Sequence, residues 1–124
     1  ALAAAEQKTA NRLTEAERKA AVKRAAQMLA EKTAHFAKEM GVTYGRITIR
    51  EQKTRWGSCS SAGNLNYNWK LVLMPERVMD YVVIHELAHR KEMNHSARFY
   101  AVVAQQMPDY KVWQSWLKEH GREY

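Results

Sequence analysis

The chain has a single cysteine and no long apolar run, so it lacks the features typical of disulfide-rich secreted proteins and of membrane proteins. Its 124 residues include one cysteine, Cys59, which excludes a disulfide within the chain and fits a reducing compartment, so we expect a cytoplasmic protein. No apolar run approaches the roughly 20 residues that cross a bilayer. The opening stretch ALAAAEQKTANR lacks the basic and apolar regions of a secretory signal. The sequence therefore predicts neither a membrane span nor a leader.

Length and composition are those of a small globular protein. Hydrophobic residues make up 46% of the chain and charged residues 27%, and the length is about that of one core. We therefore expect a single domain over residues 1–124, with an ordered core from about residue 10 to residue 120.

Acidic residues are few relative to basic ones. Lys and Arg number 20 against 13 Asp and Glu, giving a net charge of +7 and a pI near 9.7. Such a balance attracts nucleic acid or acidic partners. The basic residues are spread along the chain, however, and no helix-turn-helix, zinc-finger or RNA-binding signature accompanies them. The simpler interpretation is a solvated basic surface, with nucleic-acid binding as a secondary hypothesis.

A long helix is predicted first, over residues 14–40. Thr14 and Glu17 have the spacing of a capping box, and Gly41 suits a helix end. The apolar residues that recur at helical spacing, forming the predicted buried stripe, are Val22, Ala25, Leu29, Phe36 and Met40.

Two stretches alternate between apolar and polar residues, the pattern of half-buried strands. They are RITIREQKT (46–54) and LNYNWKLVLM (65–74), and the turn cluster SCSSAGN (58–64) separates them. This pattern predicts an antiparallel pair of strands joined by a short loop.

Helices are predicted for the rest of the chain. Pro75 suits the first position of a helix that ends around Met93–Asn94, because asparagine tolerates the left-handed conformation. A further helix, SARFYAVVAQQM, stops before Pro108, and the tail DYKVWQSWLKEHGREY predicts a last short helix. The expected fold class is α+β, with a small antiparallel sheet.

The second predicted helix carries the sequence H-E-x-x-H. His85 and His89 lie about one turn apart on one helix face, so both imidazoles can reach a single ion. Glu86 points towards the same side, where it can accept a hydrogen bond from a metal-bound water. This is the arrangement of zinc metalloproteases.

A catalytic zinc site usually needs a third protein ligand. His95 follows His89 by six residues, and a turn at Met93–Asn94 would bring it back to the ion. The metzincin pattern has the same histidine spacing but a glycine where this chain has Glu92. We expect Asn94 to supply the turn instead.

Chance histidines on an amphipathic helix are the alternative. Here, however, the motif interrupts the apolar run VVI-HE-LA-H, where each unpaired buried polar group would cost about 1–3 kcal/mol. A bound metal removes that cost, so the metal site is the favoured interpretation.

Two stretches together resemble the YgjP-like metallopeptidase domain. They are RWGSCSSAGNLNYNWKLVLMP (55–75) and HELAHRKEMNHSARFY (85–100). This zincin group is akin to the minigluzincins and more distantly to the SprT and WLM proteases. The resemblance implies a compact zincin-like domain with a long backing helix, a small sheet, an active-site helix, C-terminal helices and one Zn²⁺ in a cleft beside an edge strand. Family members are typically longer at the N-terminus, so we expect that part to be missing here.

The resemblance also implies roles for particular residues. His85 and His89 become zinc ligands, Glu86 the general base, and His95 the third ligand. Gluzincin relatives use instead a glutamate on a later helix, for which Glu119 is the counterpart in this chain.

Substrate contacts are predicted around the second strand. Residues 65–73 would form an edge that pairs with an extended peptide, unless they are an ordinary sheet strand. Arg55, Tyr67 and Tyr100 are candidates to stabilise the oxyanion, although Tyr67 also suits a core position. Asn68 is a candidate donor to the substrate backbone.

The sequence thus predicts a zinc-dependent metallopeptidase that hydrolyses peptide bonds of a peptide or protein substrate. The alternative is a non-catalytic, zinc-stabilised basic module that binds nucleic acid or a protein partner.

Overall fold

The computed structural model describes residues 8–52 and 55–124. Residues 1–7 of the predicted domain, and residues 53 and 54 at the end of the first predicted strand, lie outside the described residues. In the described part, three short 3₁₀ helices accompany helices α1 to α4 and strands β1 to β3. The helices are α1 (Glu15–Met40), α2 (Glu76–Ala88), α3 (Ala97–Gln106) and α4 (Tyr110–His120), and the strands are β1 (Ile47–Arg50), β2 (Gly57–Cys59) and β3 (Leu65–Asn68).

Helix α1 begins and ends where its capping residues predict. The Glu17 amide donates to Thr14 Oγ1 at 3.1 Å, and the Thr14 amide donates to Glu17 Oε1 at 2.9 Å. Gly41 ends the helix in the left-handed conformation, with φ of 69°. The predicted stripe is buried at Ala25, Leu29 and Met40, while Val22 and Phe36 lie half-buried at its margins.

The three strands form a mixed sheet in the order β1-β3-β2. β1 and β3 are parallel, with Ile47 opposite Leu65, so the predicted antiparallel pairing of these two strands was wrong. The reason is a third strand, β2, which overlaps the start of the predicted turn cluster and makes an antiparallel hairpin with β3. The α+β class with a small sheet is nevertheless confirmed.

The second predicted strand is shorter than its alternating pattern. β3 ends at Asn68, whose side chain accepts a hydrogen bond from the Lys70 amide at 3.0 Å, and residues Trp69–Leu73 form a 3₁₀ helix. Trp69 and Leu71 remain buried. Their apolar character therefore reports burial in the core rather than a continuing strand.

Helix α2 ends earlier than predicted, with His89 as its C-cap. No non-glycine residue in the described part has a positive φ, so the left-handed turn predicted at Asn94 was wrong. The chain instead leaves the helix in turns, and the Arg90 side chain anchors these turns to two other segments of the protein. The Arg90 guanidinium donates to the carbonyl oxygens of Thr43 at 2.9 Å and Ser61 at 3.2 Å.

Helix α2 is buried along most of its length because it packs against α1, β2, α3 and α4. Lys32 of α1 ties the two longest helices together, with its Nζ 2.7 Å from both Asp80 Oδ1 and Glu76 Oε1. The H-E-x-x-H segment is thus held on a helix that this packing buries.

No helix in the described part of the chain is long and apolar enough to cross a membrane.

Candidate metal centre

The structure brings three of the predicted residues together. His85, His89 and His95 each offer one ring nitrogen as a possible metal ligand. These three nitrogens lie within 4.8 Å of one another. His85 and His89 lie on one face at the end of α2. His95 reaches them from the segment before α3, where the hydroxyl of Ser96 caps that helix by accepting the Phe99 amide at 3.3 Å.

A fully buried phenyl ring underlies the three histidines. The Phe99 ring stacks on His89, with centroids 4.5 Å apart, and meets His85 and His95 edge-on at 4.9 and 5.0 Å. Such packing restricts the rotation of all three imidazoles. Phe99 therefore pre-organises the cluster from below.

The surroundings of His89 favour one tautomer of its neutral ring. Its Nδ1 lies 3.2 Å from the carbonyl oxygen of Glu92, and a carbonyl can only accept, so Nδ1–H is the donor and Nε2 carries the lone pair. Metal-binding histidines are commonly oriented in this way by a backbone carbonyl. The early end of α2 places the Glu92 carbonyl where it can do so.

The donor set fits a zinc ion. Nitrogens bound tetrahedrally at about 2.0–2.1 Å are about 3.4 Å apart. The three ligand atoms here lie within 4.8 Å of one another, so they would move closer together on binding an ion. Burial, followed by the neighbouring His85 and His89, lowers the pKa of His95. A lowered pKa favours the neutral imidazole, which is the form that binds metal.

Glu86 is buried next to the cluster, with only 5% of its surface exposed. Its Oε2 lies 3.2 Å from His85 Nδ1. Glu86 and His85 also line one wall of a pocket of about 200 Å³. The carboxylate is therefore adjacent to the ligand set and borders a cavity that opens beside it.

Glu119, the alternative third ligand, lies elsewhere. Its side chain is 73% exposed, and its carboxylate is 3.8 Å from the ring of His120. Among the described residues, the three histidines are the group that has metal-binding spacing. The geometry therefore favours His95 over Glu119.

The pocket beside Glu86 has mostly apolar walls. Helix α2 contributes Tyr81 and Val82, α4 contributes Leu117, and the segment leading into β2 contributes Arg55 and Trp56. One exposed cation thus lies at the rim of an apolar cavity that begins at the histidine cluster.

Two of the four predicted substrate contacts lie near the cluster. Arg55 is exposed and lines the pocket. Tyr100 is half-buried, with its ring centroid 6.3 Å from that of His95, and it stacks on Tyr110 at 5.8 Å. Arg55 thus lies on the wall of the pocket, and Tyr100 lies beside His95.

The other two predicted contacts serve the interior. Tyr67 is 1% exposed, its hydroxyl lies 2.9 Å from that of Thr33, and burial strongly raises its pKa. Asn68 donates to the carbonyl oxygens of Gln52 at 2.9 Å and Arg55 at 3.3 Å. Tyr67 thus joins β3 to α1, and Asn68 holds the backbone at Gln52 and at Arg55.

Sequence reasoning missed Tyr81 and Phe99. Tyr81 precedes His85 by one helical turn, with ring centroids 5.7 Å apart, and burial raises its pKa to about 12, so it stays a hydrogen-bond donor. Phe99 follows His95 by four residues. The same i, i+4 spacing that revealed the histidine pair would have identified Tyr81, whereas His95 precedes its helix and gave no such signal for Phe99.

The predicted edge strand was also wrong. β3 is the central strand, and β2 is the edge beside the active-site helix. The Ser60 amide donates to Asn64 and the Asn68 amide to Trp56, so the intervening backbone groups of Ser58 face β3. The backbone groups of Gly57 and Cys59 therefore point away from β3, on the side where no described strand pairs with β2.

A buried helix bearing H-E-x-x-H, packed under a small sheet whose edge strand runs beside it, defines a zincin-type metallopeptidase fold. The chain belongs to the YgjP-like family, whose metallopeptidase domain matches residues 2–120.

Two solved structures share this fold. The metallopeptidase zymogen abylysin of Pyrococcus abyssi has a TM-score of 0.65 and 23% identity, covering 73% of this chain and 93% of its own. The metallopeptidase zymogen jannalysin of Methanocaldococcus jannaschii has a TM-score of 0.64 and 18% identity, covering 73% and 94%. No curated protein matches the chain significantly. At these identities the likeness establishes the fold.

Proposed function

We propose that this protein is a zinc-dependent peptidase in which His85, His89 and His95 bind one zinc ion and Glu86 is the general base. The observation that carries the proposal is the convergence of three imidazoles beside a buried carboxylate that borders a pocket. Three protein ligands leave a coordination position open for chemistry, whereas structural zinc sites usually have four. This argues against a purely structural zinc module.

The metal and the protein contribute different parts of the reaction. When bound, zinc supplies Lewis acidity, which activates water as a nucleophile near neutral pH and polarises a peptide carbonyl. The Glu86 carboxylate takes the proton from the attacking water and delivers it to the leaving amine. Arg55, which lines the pocket, and Tyr81 and Tyr100, whose ring centroids are 5.7 Å from His85 and 6.3 Å from His95, would stabilise the oxyanion.

The substrate would bind in an extended conformation along the outer side of β2. Gly57 and Cys59 direct their backbone groups to that side, and main-chain pairing there requires no particular substrate sequence. A side chain next to the scissile bond would enter the pocket lined by Trp56, Val82 and Leu117. The substrate-binding strand in this proposal is therefore β2 and not β3, the strand that the alternating pattern indicated.

The test is the substitution Glu86→Gln, which keeps the side-chain shape and removes the base. We expect zinc content to stay at one per chain while cleavage of an unfolded casein substrate falls about 10²–10⁴-fold. Glu31→Gln, the same chemical change at an exposed position of α1, is the matched control and should leave both quantities unchanged. Undiminished turnover by Glu86→Gln would remove the proposed base.

A further inference from the structure

A second and larger cavity lies beside the active-site pocket. Its volume is about 740 Å³, within the range of roughly 300–1,000 Å³ that is usual for ligand sites. We call it the basic groove. Four cationic residues, Lys8, Lys70, Lys118 and Arg122, line it together with Trp56 and Leu117.

The positive charge of the basic groove is only partly offset within the described part of the chain, by the single carboxylate of Glu51 near Lys70. None of its four cations forms an ion pair with a described residue. The carboxylate of Glu51 borders the groove but is already engaged, at 2.6 Å from Arg18 Nη2 and 2.7 Å from the indole nitrogen of Trp69. The groove therefore presents unpaired cations to whatever enters it.

The basic groove and the active-site pocket share two walls. Trp56 and Leu117 line both cavities, and Arg55 extends the positive charge to the pocket itself. A polypeptide with one side chain in the pocket would therefore continue past Trp56 and Leu117 into the groove. The chemistry that matches it there is a run of carboxylates.

We propose that the basic groove binds acidic side chains of the polypeptide substrate. These side chains lie several residues from the scissile bond, in the part of the substrate that continues from the pocket into the groove. The inference rests on the proposed peptidase function and adds the class of substrate. Trp56 favours a polypeptide over single-stranded nucleic acid because its indole is already packed against Gly121. A β-carbon at residue 121 would lie only 3.0 Å from Trp56 Cζ2, so that part of the ring is closed to base stacking.

Binding is tested without turnover by using the zinc-loaded Glu86→Gln protein. The probes are two fluorescein-labelled peptides that differ only in carrying six glutamates or six glutamines. We expect the glutamate peptide to bind at least tenfold more tightly at low ionic strength, and the contrast to shrink as salt is added. Charge reversal at Lys118 and Arg122, both exposed, should abolish the contrast.

The matched control is charge reversal at Lys19 and Lys23, two exposed positions on α1, which changes net charge equally and should retain the contrast. Equal affinity for both peptides, or an unchanged contrast after Lys118→Glu with Arg122→Glu, would overturn the proposal. Tighter binding of oligothymidylate than of the glutamate peptide, lost in the same double variant, would overturn it in favour of nucleic acid.

Cleavage-site mapping on a peptide library separates this inference from the proposed function. The parent protein should cleave with Asp and Glu enriched beyond the scissile bond on one side, and the Lys118→Glu, Arg122→Glu variant should cleave without that enrichment. Cleavage by the parent without acidic enrichment would overturn the groove proposal alone. Absence of cleavage would overturn the peptidase function, and the binding contrast would then decide the ligand class of the groove.

Discussion

Gly57 of β2 lies against Glu86 of α2 so closely that a β-carbon at residue 57 would be 3.1 Å from Glu86 Cγ. It would also be 3.1 Å from Val82 Cγ1 and 3.2 Å from the carbonyl oxygen of Asn66. Glycine is thus what lets the edge strand approach the helix at the proposed general base. The position of Glu86 depends on a residue in a different element of the chain.

Gly57→Ala should therefore impair catalysis without removing the metal. The added methyl group must displace the strand or the side chains that it meets, of which Glu86 is one, and small displacements of reacting groups are costly. We expect kcat/KM for a peptide substrate to fall by about tenfold or more, with zinc still bound at one per chain. Steady-state kinetics and metal analysis on the same preparation measure this. Unchanged kcat/KM would show that the close approach has no bearing on Glu86.

Phe99→Leu should loosen the zinc site. Leucine leaves part of the space beneath the three histidines unfilled, so their rings lose the packing that orients them. We expect zinc affinity, measured by competition with a chromogenic chelator, to fall about tenfold.

The matched control for this prediction is Phe36→Leu, which makes the same change at the half-buried margin of α1. It should leave zinc affinity as in the parent protein. Equal affinities in all three proteins would mean that Phe99 fills the core without organising the ligands.

Lys32→Met should destabilise the protein in a pH-dependent way. Burial lowers the pKa of Lys32, but its hydrogen bonds to Asp80 and Glu76 outweigh this and leave the pKa raised above its ordinary value of 10.5. A raised pKa means that the contribution is fully present below pH 10.5 and is lost as the pH rises through the folded-state value. At pH 7 we expect the substitution to lower the free energy of unfolding by about 1–2 kcal/mol.

Urea unfolding of the parent and Lys32→Met at pH 7 and pH 11 measures this difference. The gap between the two proteins should begin to narrow at pH 11, because the unfolded chain loses the Lys32 proton above pH 10.5 while the folded protein loses its own only at a higher pH. A gap that stays constant between the two pH values would contradict an electrostatic role for Lys32.

Local signals in the sequence predicted the helices and the placement of His85 beside His89. The Thr14 and Glu17 capping box and Gly41 fix α1 through bonds between near neighbours, so their pattern is readable without the fold. The spacing of His85 and His89 works in the same way. Both features depend on helix geometry alone.

Contacts between distant segments set what the sequence did not reveal. The alternation of residues 65–74 indicated burial but could not tell a strand from a 3₁₀ helix, nor a parallel from an antiparallel neighbour. Just beyond the end of α2, Arg90 donates hydrogen bonds to the carbonyls of Thr43 and Ser61, which lie far from it in the sequence. The edge strand is β2 rather than β3, because the start of the predicted turn cluster belongs to a strand that pairs with β3.

The central claim is that three histidines form the zinc site, and metal content tests it most directly. Zinc per chain should be measured by elemental mass spectrometry for the parent, His95→Ala and Glu119→Gln. We predict about one zinc per chain in the parent and in Glu119→Gln, and a sharp loss in His95→Ala. Zinc retained in His95→Ala but lost in Glu119→Gln would contradict the three-histidine site, and a parent that binds no zinc after reconstitution would contradict the peptidase function.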